Sequence, residues 1–253
     1  MRYPIIIMDF SGVYKYASFY KHQYFYWVDC TDLHGVRYFC DNSSQRIIRQ
    51  RISSFSPEGI HFIDSGNYHY VSLLWTDKIR EPFALIVFDH HPDMKPSVFG
   101  NLMSCGSWVK DVIDTNCFIK ETLIIGTADN LAAQVLPKYK NKVTFFNEST
   151  TVYSQLLHDF STYHIPYPVY ISIDKDVLKP EDAVTDWDNG SLSLEELDRL
   201  LEAIIKKNKI IGIDVCGSCS DTLGIITNKR ILNINDKCDG VILSELFRAL
   251  GSS

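Results

Sequence analysis

Two short runs carry residues whose types and spacing could do metal chemistry: Asp89, His91 and Asp93 in FDHHPDM, and Asp174 and Asp176 in SIDKDVLKP. Each follows an apolar run, FALIVF and VYISI, that reads as a buried strand. In an extended segment, side chains at i, i+2 and i+4 point to one face, so each motif gathers its ligands on one side. Four carboxylates and one imidazole converging on a pocket repel one another unless divalent cations neutralise them. The oxygen-dominated set suits Mn2+, with Mg2+ and Fe2+ as alternatives and Zn2+ in a poorer ligand set. His69, in SGNYHY, is a sixth candidate. A lone D-x-D at a strand end also serves as a turn or cap; its coincidence with D-x-H-x-D in a matching context is what favours metal.

Such side chains need strands that end side by side. Short β-branched and aromatic runs supply candidates at Pro4 to Asp9, Ile60 to Asp64, Phe83 to Asp89, Thr122 to Gly126, Val143 to Asn147, Val169 to Asp174 and Ile210 to Val215. Helical patterns lie between them at residues 44–54, 70–80, 105–115, 129–137, 151–161 and 193–206. The last opens with a capping box, Ser193 followed by Glu196. The alternation predicts βαβ units and a three-layer α/β fold around a mostly parallel sheet of about eight strands. The aromatic-rich stretch from Tyr14 to Cys40 reads as a hairpin turning at His34-Gly35. No linker or repeat interrupts the chain, so one domain over residues 1–253 is expected. Ligands of such sheets gather at the carboxyl ends of the strands.

The formal charge of −6 comes without a basic stripe, which argues against a nucleic-acid partner. No apolar run approaches the ~20 residues of a membrane span, and MRYPIIIMDF reads into a strand rather than a cleavable signal. A cytoplasmic protein is expected. Seven cysteines show no paired CxxC framework, and the spacing of Cys216 and Cys219 is read as coincidence rather than as a redox or metal pair. A reducing compartment fits them.

FDHHPDM and SIDKDVLKP resemble the two signature motifs of the ureohydrolase superfamily of arginase, agmatinase and formiminoglutamase, whose fold is shared with the histone deacetylases. SGNYH is similar to that family's Gly-rich segment ending in a metal-binding histidine. The resemblance implies one cation on His69, Asp89, Asp93 and Asp174 and a second on Asp89, His91, Asp174 and Asp176, with Asp89 and Asp174 bridging. It implies hydrolysis of a C–N bond by water activated between the cations, Asp176 passing the proton to the departing amine. Relatives are commonly oligomers, so a homo-oligomer is expected.

The departures are informative. FGNLMSCGSW has Cys105 where the family places a proton-relaying histidine, and IIGIDVCGS has Gly217 where it places a glutamate that holds the substrate guanidinium. HHPDM and SCGSW are similar to a divergent branch that includes peptide arginases, which convert arginine side chains in peptides to ornithine. A small-molecule or peptide substrate with a guanidino or amidine group follows. DAVTDWDNG offers Asp186, Trp187 and Asp188 either as a pocket for a cation or as a solvated acidic loop with a packed Trp. Cys105 reads either as a small buried hydrophobe or as a nucleophile or proton carrier. His90 points away from its motif and reads as a residue that supports the ligands or packs beside them rather than as a ligand. Two rival functions stand beside this one: a deacetylase-like amide hydrolase with a single metal on Asp, His and Asp, and a silent binding protein that keeps metals as staples.

Overall fold

The computed structural model describes residues 3–96, 102–149, 153–221, 224 and 229–251. Residues 99–101 of the FGNLMSCGSW segment and the first two residues of the helix expected at 151–161 lie outside them. Ten strands are described: β1 Ile5–Asp9, β2 Phe25–Asp29, β3 Phe39–Cys40, β4 Ile60–Phe62, β5 Phe83–Phe88, β6 Met103–Ser104, β7 Ile119–Ile125, β8 Thr144–Phe146, β9 Val169–Asp174 and β10 Ile210–Cys216. The α-helices are α1 Asn42–Arg51, α2 Val71–Thr76, α3 Trp108–Thr115, α4 Asp129–Ala132, α5 Tyr153–Thr162, α6 Leu194–Ile205 and α7 Lys229–Gly251.

Eight strands form one sheet in the order β2-β1-β4-β10-β9-β5-β7-β8, and every neighbouring pair is parallel. Helices cover both faces, which is why β5 and β9 are buried along their whole length and read as apolar runs rather than alternating ones. On one face α5, α6 and α7 contribute Phe160, Leu197, Leu201 and Leu246 to a core with Ile86 and Ile171. On the other, α1, α2 and α3 contribute Ile48, Trp75 and Trp108 against Leu85 and Tyr170. The expected three layers are present.

Two readings of the sequence are corrected. The Tyr14 to Cys40 stretch is not a hairpin: β2 pairs in parallel with β1, while β3 pairs antiparallel with β6. The aromatic residues of β2 pack sideways onto an existing sheet edge, an arrangement no local turn could announce. The long helix α7 was not anticipated, because its buried face includes Asn235 and Asp239 among Cys238, Ile242 and Leu246. Those polar positions break the apolar stripe that marks a helix in sequence. The capping box is formed as expected, Ser193 accepting from the Glu196 backbone and Glu196 from that of Ser193. No helix among the described residues is long and apolar enough to cross a membrane.

Because the sheet is parallel, β4, β10, β9 and β5 lie side by side with their carboxyl ends on one edge. The candidate ligands sit there.

Candidate metal centre

Asp89 leaves the end of β5 and Asp174 closes β9, and the pairing of Phe88 with Ile173 sets them next to each other. His69 comes from the loop after β4, where a 3-10 turn over Gly66–Tyr68 is capped by Ser65. That turn lies close to Asp174: a Cβ on Gly66 would meet Asp174 Oδ2 at 2.7 Å, so a larger residue there would have to displace the carboxylate. His69 Nδ1 lies 3.2 Å from Asp89 Oδ2, 3.2 Å from Asp93 Oδ2 and 3.4 Å from Asp174 Oδ2. Asp93 reaches in from a left-handed backbone conformation, φ 48°, and takes a hydrogen bond of 2.8 Å from the Trp108 indole. Such a conformation in a non-glycine residue persists only where its surroundings hold it.

A second cluster adjoins the first through Asp89. His91 Nδ1 is 2.8 Å from Asp176 Oδ2 and 3.6 Å from Asp89 Oδ1. The backbone N–H of His90 donates to Asp176 Oδ1 at 3.0 Å, so both oxygens of Asp176 are held. The ring of His90 points instead toward Glu148, consistent with a packing role. All six residues implied as ligands are therefore brought together, and apart from His91 all are buried.

The electrostatics require positive charge here. Two like charges about 4 Å apart repel by roughly 4 kcal/mol at an effective dielectric of 20. Burial disfavours a charged His69, but the Cys216 sulfur and the carboxylates of Asp174, Asp89 and Asp93 outweigh it and raise the imidazole well above its ordinary value. Burial likewise opposes charge on His91, which Asp176 and Asp89 nevertheless raise to about 11. Burial and the charge of Asp89 push Asp93 up to about 7, and burial with Asp174 and Asp89 pushes Asp176 well above the carboxylate range. Asp89 resists its own burial because the two imidazoles hold it below its usual value. These opposed shifts mark a place where bound cations would balance the charge. His69 Nδ1 and Asp89 Oδ2 are buried with no hydrogen-bond partner. Two sets of ligand atoms, His69 with Asp89 and Asp93, and Asp89 with His91 and Asp176, each fall within 4.8 Å. This donor set fits divalent cations.

The profile of the arginase family matches residues 11–218. The chain belongs to the arginase family. An uncharacterized protein of Thermotoga maritima is 30% identical over 218 residues, 84% of this chain and 79% of that protein. An agmatinase of Pyrococcus horikoshii is 25% identical over 155 residues, 60% of this chain and 52% of the agmatinase. The fold is similar to that of an arginase from Bacillus caldovelox, with a TM-score of 0.69 at 14% identity over 99% of each chain. Asp89 directly follows β5 and Asp174 ends β9, adjacent strands of the sheet. Asp93, however, lies in a left-handed conformation and Asp176 in a 3-10 turn over Lys175–Val177. Turns beyond the strands, rather than the extended spacing expected from the sequence, gather these side chains.

Other expected residues divide. Cys105 lines the cavity over the cluster with Gly66, Pro92, Lys95 and Trp187, and burial followed by Asp93 pushes its thiol up to about 12, so it carries its proton at neutral pH. Trp187 lies 5.6 Å from the His91 ring and donates to Asn67. Asp186 and Asp188 are not among the lining residues. The Asp186 carboxylate is engaged by Ser65, Asn67 and Ser220, which ties the Trp187 loop to the turn that presents His69. Gly217 has φ +91°, and a Cβ there would meet Asp174 Oδ1 at 2.3 Å. No side chain, glutamate included, fits that backbone.

Sequence reasoning missed Ser172, Asp214 and Cys216. His69 Nε2 lies 2.8 Å from Ser172 Oγ, which donates to Asp214. Ser172 pairs in register with Asp214 and Asp174 with Cys216, so the two pairs stack on one face of β9 and β10. The period-2 spacing of Asp214 and Cys216 toward the strand end was the available signal.

Proposed function

We propose that this protein hydrolyses a C–N bond in a guanidino or amidine compound with two divalent cations, an arginine side chain within a peptide being the preferred substrate. The reading is carried by one observation: a buried cluster of four carboxylates and two imidazoles in which His69 Nδ1 and Asp89 Oδ2 lack any hydrogen-bond partner. His69, Asp89, Asp93 and Asp174 would hold one cation, and Asp89, His91, Asp174 and Asp176 the other. Mn2+ is the preferred ion for the oxygen-rich sites. Bound there, the cations supply an activated water and polarise the carbon under attack.

The chain's own groups do the rest. Ser172 and Asp214 hold the His69 ring by its Nε2, leaving Nδ1 turned to the cluster. Asp176, fixed at both oxygens by His90 and His91, takes up the proton and passes it to the departing amine. Cys105 keeps a protonated thiol on the cavity wall and serves there as a proton carrier. The cavity bounded by described residues is about 30 Å3, room for water and ions only, so the substrate's reacting end must enter from the mouth. Trp187 borders that mouth and offers its ring to a planar cation. A peptide held along the rim does not depend on a carboxylate at position 217, whereas free arginine in the family's usual pose does.

Elemental analysis of the Mn2+-loaded chain should find two ions, and His69→Ala or Asp93→Ala should leave one. The loaded protein is then offered arginine, agmatine, arginine-containing peptides and acetylated amines. Urea release from the peptides, with little from free arginine, is expected. Acetate release with a single bound ion would favour a deacetylase-like enzyme, and no product from any of them would sink the enzymatic reading.

A further inference from the structure

Cys216 ends β10 in register with Asp174 at the end of β9, on the same face of the sheet. Its Sγ lies 3.2 Å from Asp174 Oδ2. His69, Asp174 and Cys216 each offer a ligand atom, all within 4.8 Å of one another, and all three residues are buried. Nε2 of His69 is committed to Ser172, so its partnerless Nδ1 is the nitrogen that faces this group. The set around His91, formed with Asp89 and Asp176, contains no sulfur. Cys105 also borders the cavity, yet it joins no such set among the described residues.

We propose that Cys216 is a metal ligand on the His69 side of the centre, so that the two cation sites are chemically unlike. One is built from carboxylates and the His91 imidazole. The other is a mixed nitrogen, oxygen and sulfur site that can be filled by Mn2+ but holds a thiophilic divalent cation such as Co2+, Zn2+ or Fe2+ more tightly. The inference rests on the two-cation reading above. As the cation enters, the Cys216 S–H bond breaks, the proton leaves to water and both bonding electrons stay on sulfur, which donates a pair to the metal. No oxidant or reductant is involved. Cys216, whose thiol donates a hydrogen bond to Asp174, would then hold the cation together with that residue.

The test is a Co2+ titration of the metal-free full-length chain. Visible d–d bands report occupancy, and a near-ultraviolet sulfur-to-cobalt charge-transfer band reports a thiolate ligand. Two equivalents should bind, with the near-ultraviolet band growing in for one of them, and excess Mn2+ should displace the other equivalent first. Cys216→Ser should lose the band, while Cys105→Ala should retain it. Two bound Co2+ without a sulfur band in the wild-type chain overturns the Cys216 assignment and leaves the two-cation reading standing. A band that vanishes in Cys105→Ala and survives in Cys216→Ser also overturns it. Failure to bind Co2+ or Mn2+ at all overturns both.

Discussion

A single hydroxyl braces the candidate ligand His69. Ser172 joins His69 Nε2 to Asp214, and without it the ring would lose one of its restraints and two buried polar atoms would lose a hydrogen-bond partner. Ser172→Ala should weaken one of the two metal equivalents by about 10–100-fold, read by competition with a chelator, and leave the other unchanged. Asp64 is fully buried and accepts hydrogen bonds from Phe10 and Ser11. Burial pushes this carboxyl up to about 6, the nearby charge of Asp9 adds to the effect, and hydrogen bonds from Phe10 and Ser11 oppose it. A carboxyl raised in the folded state contributes stability below its unfolded pKa, and loses it as pH rises through the folded value. Wild-type stability relative to Asp64→Asn should therefore fall by on the order of 3 kcal/mol between pH 4 and 7, then level off. Urea unfolding of the pair across that range gives the difference directly, and a flat difference would contradict the assignment.

At the scale of elements, the loop that carries Asp174 and Asp176 is anchored to α7. Lys175, between the two aspartates, is fully buried, with Nζ 2.6 Å from Asp239 Oδ1 and 3.0 Å from Ser218 Oγ. Burial works against the charged lysine, yet Asp239 raises its pKa above the ordinary value. Removing one partner strands an uncompensated charge, which typically costs about 3–5 kcal/mol, whereas replacing both by apolar groups is often neutral. Asp239→Leu should accordingly lower stability by about that amount in urea unfolding, and Lys175→Met with Asp239→Leu should recover most of it. Were the double variant as unstable as the single one, the pair would matter through packing rather than charge. Through the same contact a helix far along the chain bears on the candidate centre, because Asp239 holds Lys175 between Asp174 and Asp176.

At the scale of the whole molecule, the proposed centre would couple folding to metal. A parallel sheet delivers Asp89, Asp174 and Cys216 to one edge, and the loop after β4 delivers His69. The sheet's two apolar cores hold that edge together against its own charge repulsion. A ligand that binds only the folded state stabilises it by RT ln(1 + [L]/Kd), about 2.7 kcal/mol at a hundredfold excess over Kd. Adding Mn2+ to the chelated protein should raise its melting temperature progressively with concentration, as followed by calorimetry. A melting temperature indifferent to divalent cations would count against a metal centre.

The amino-acid sequence by itself determined the strand runs, the three-layer class and the identity of the six candidate ligands. Those features are local: residue types mark the carboxylates and imidazoles, and a run of six apolar residues marks a strand covered on both faces. The turns at Asp93 and over Lys175–Val177 that aim the side chains carry no such local signal. Even the departures at Cys105 and Gly217 were legible as residues, though the reason for the glycine was not. Tertiary structure alone decided which strands become neighbours, and so that Asp174 sits beside both Asp89 and Cys216. It took β2 away from a hairpin and onto the sheet edge, recruited α7 through a buried polar pair, and spent the Asp186 carboxylate on a loop anchor. Each of these depends on contacts between segments far apart in the chain, whose register is set by packing rather than by any signal within either segment.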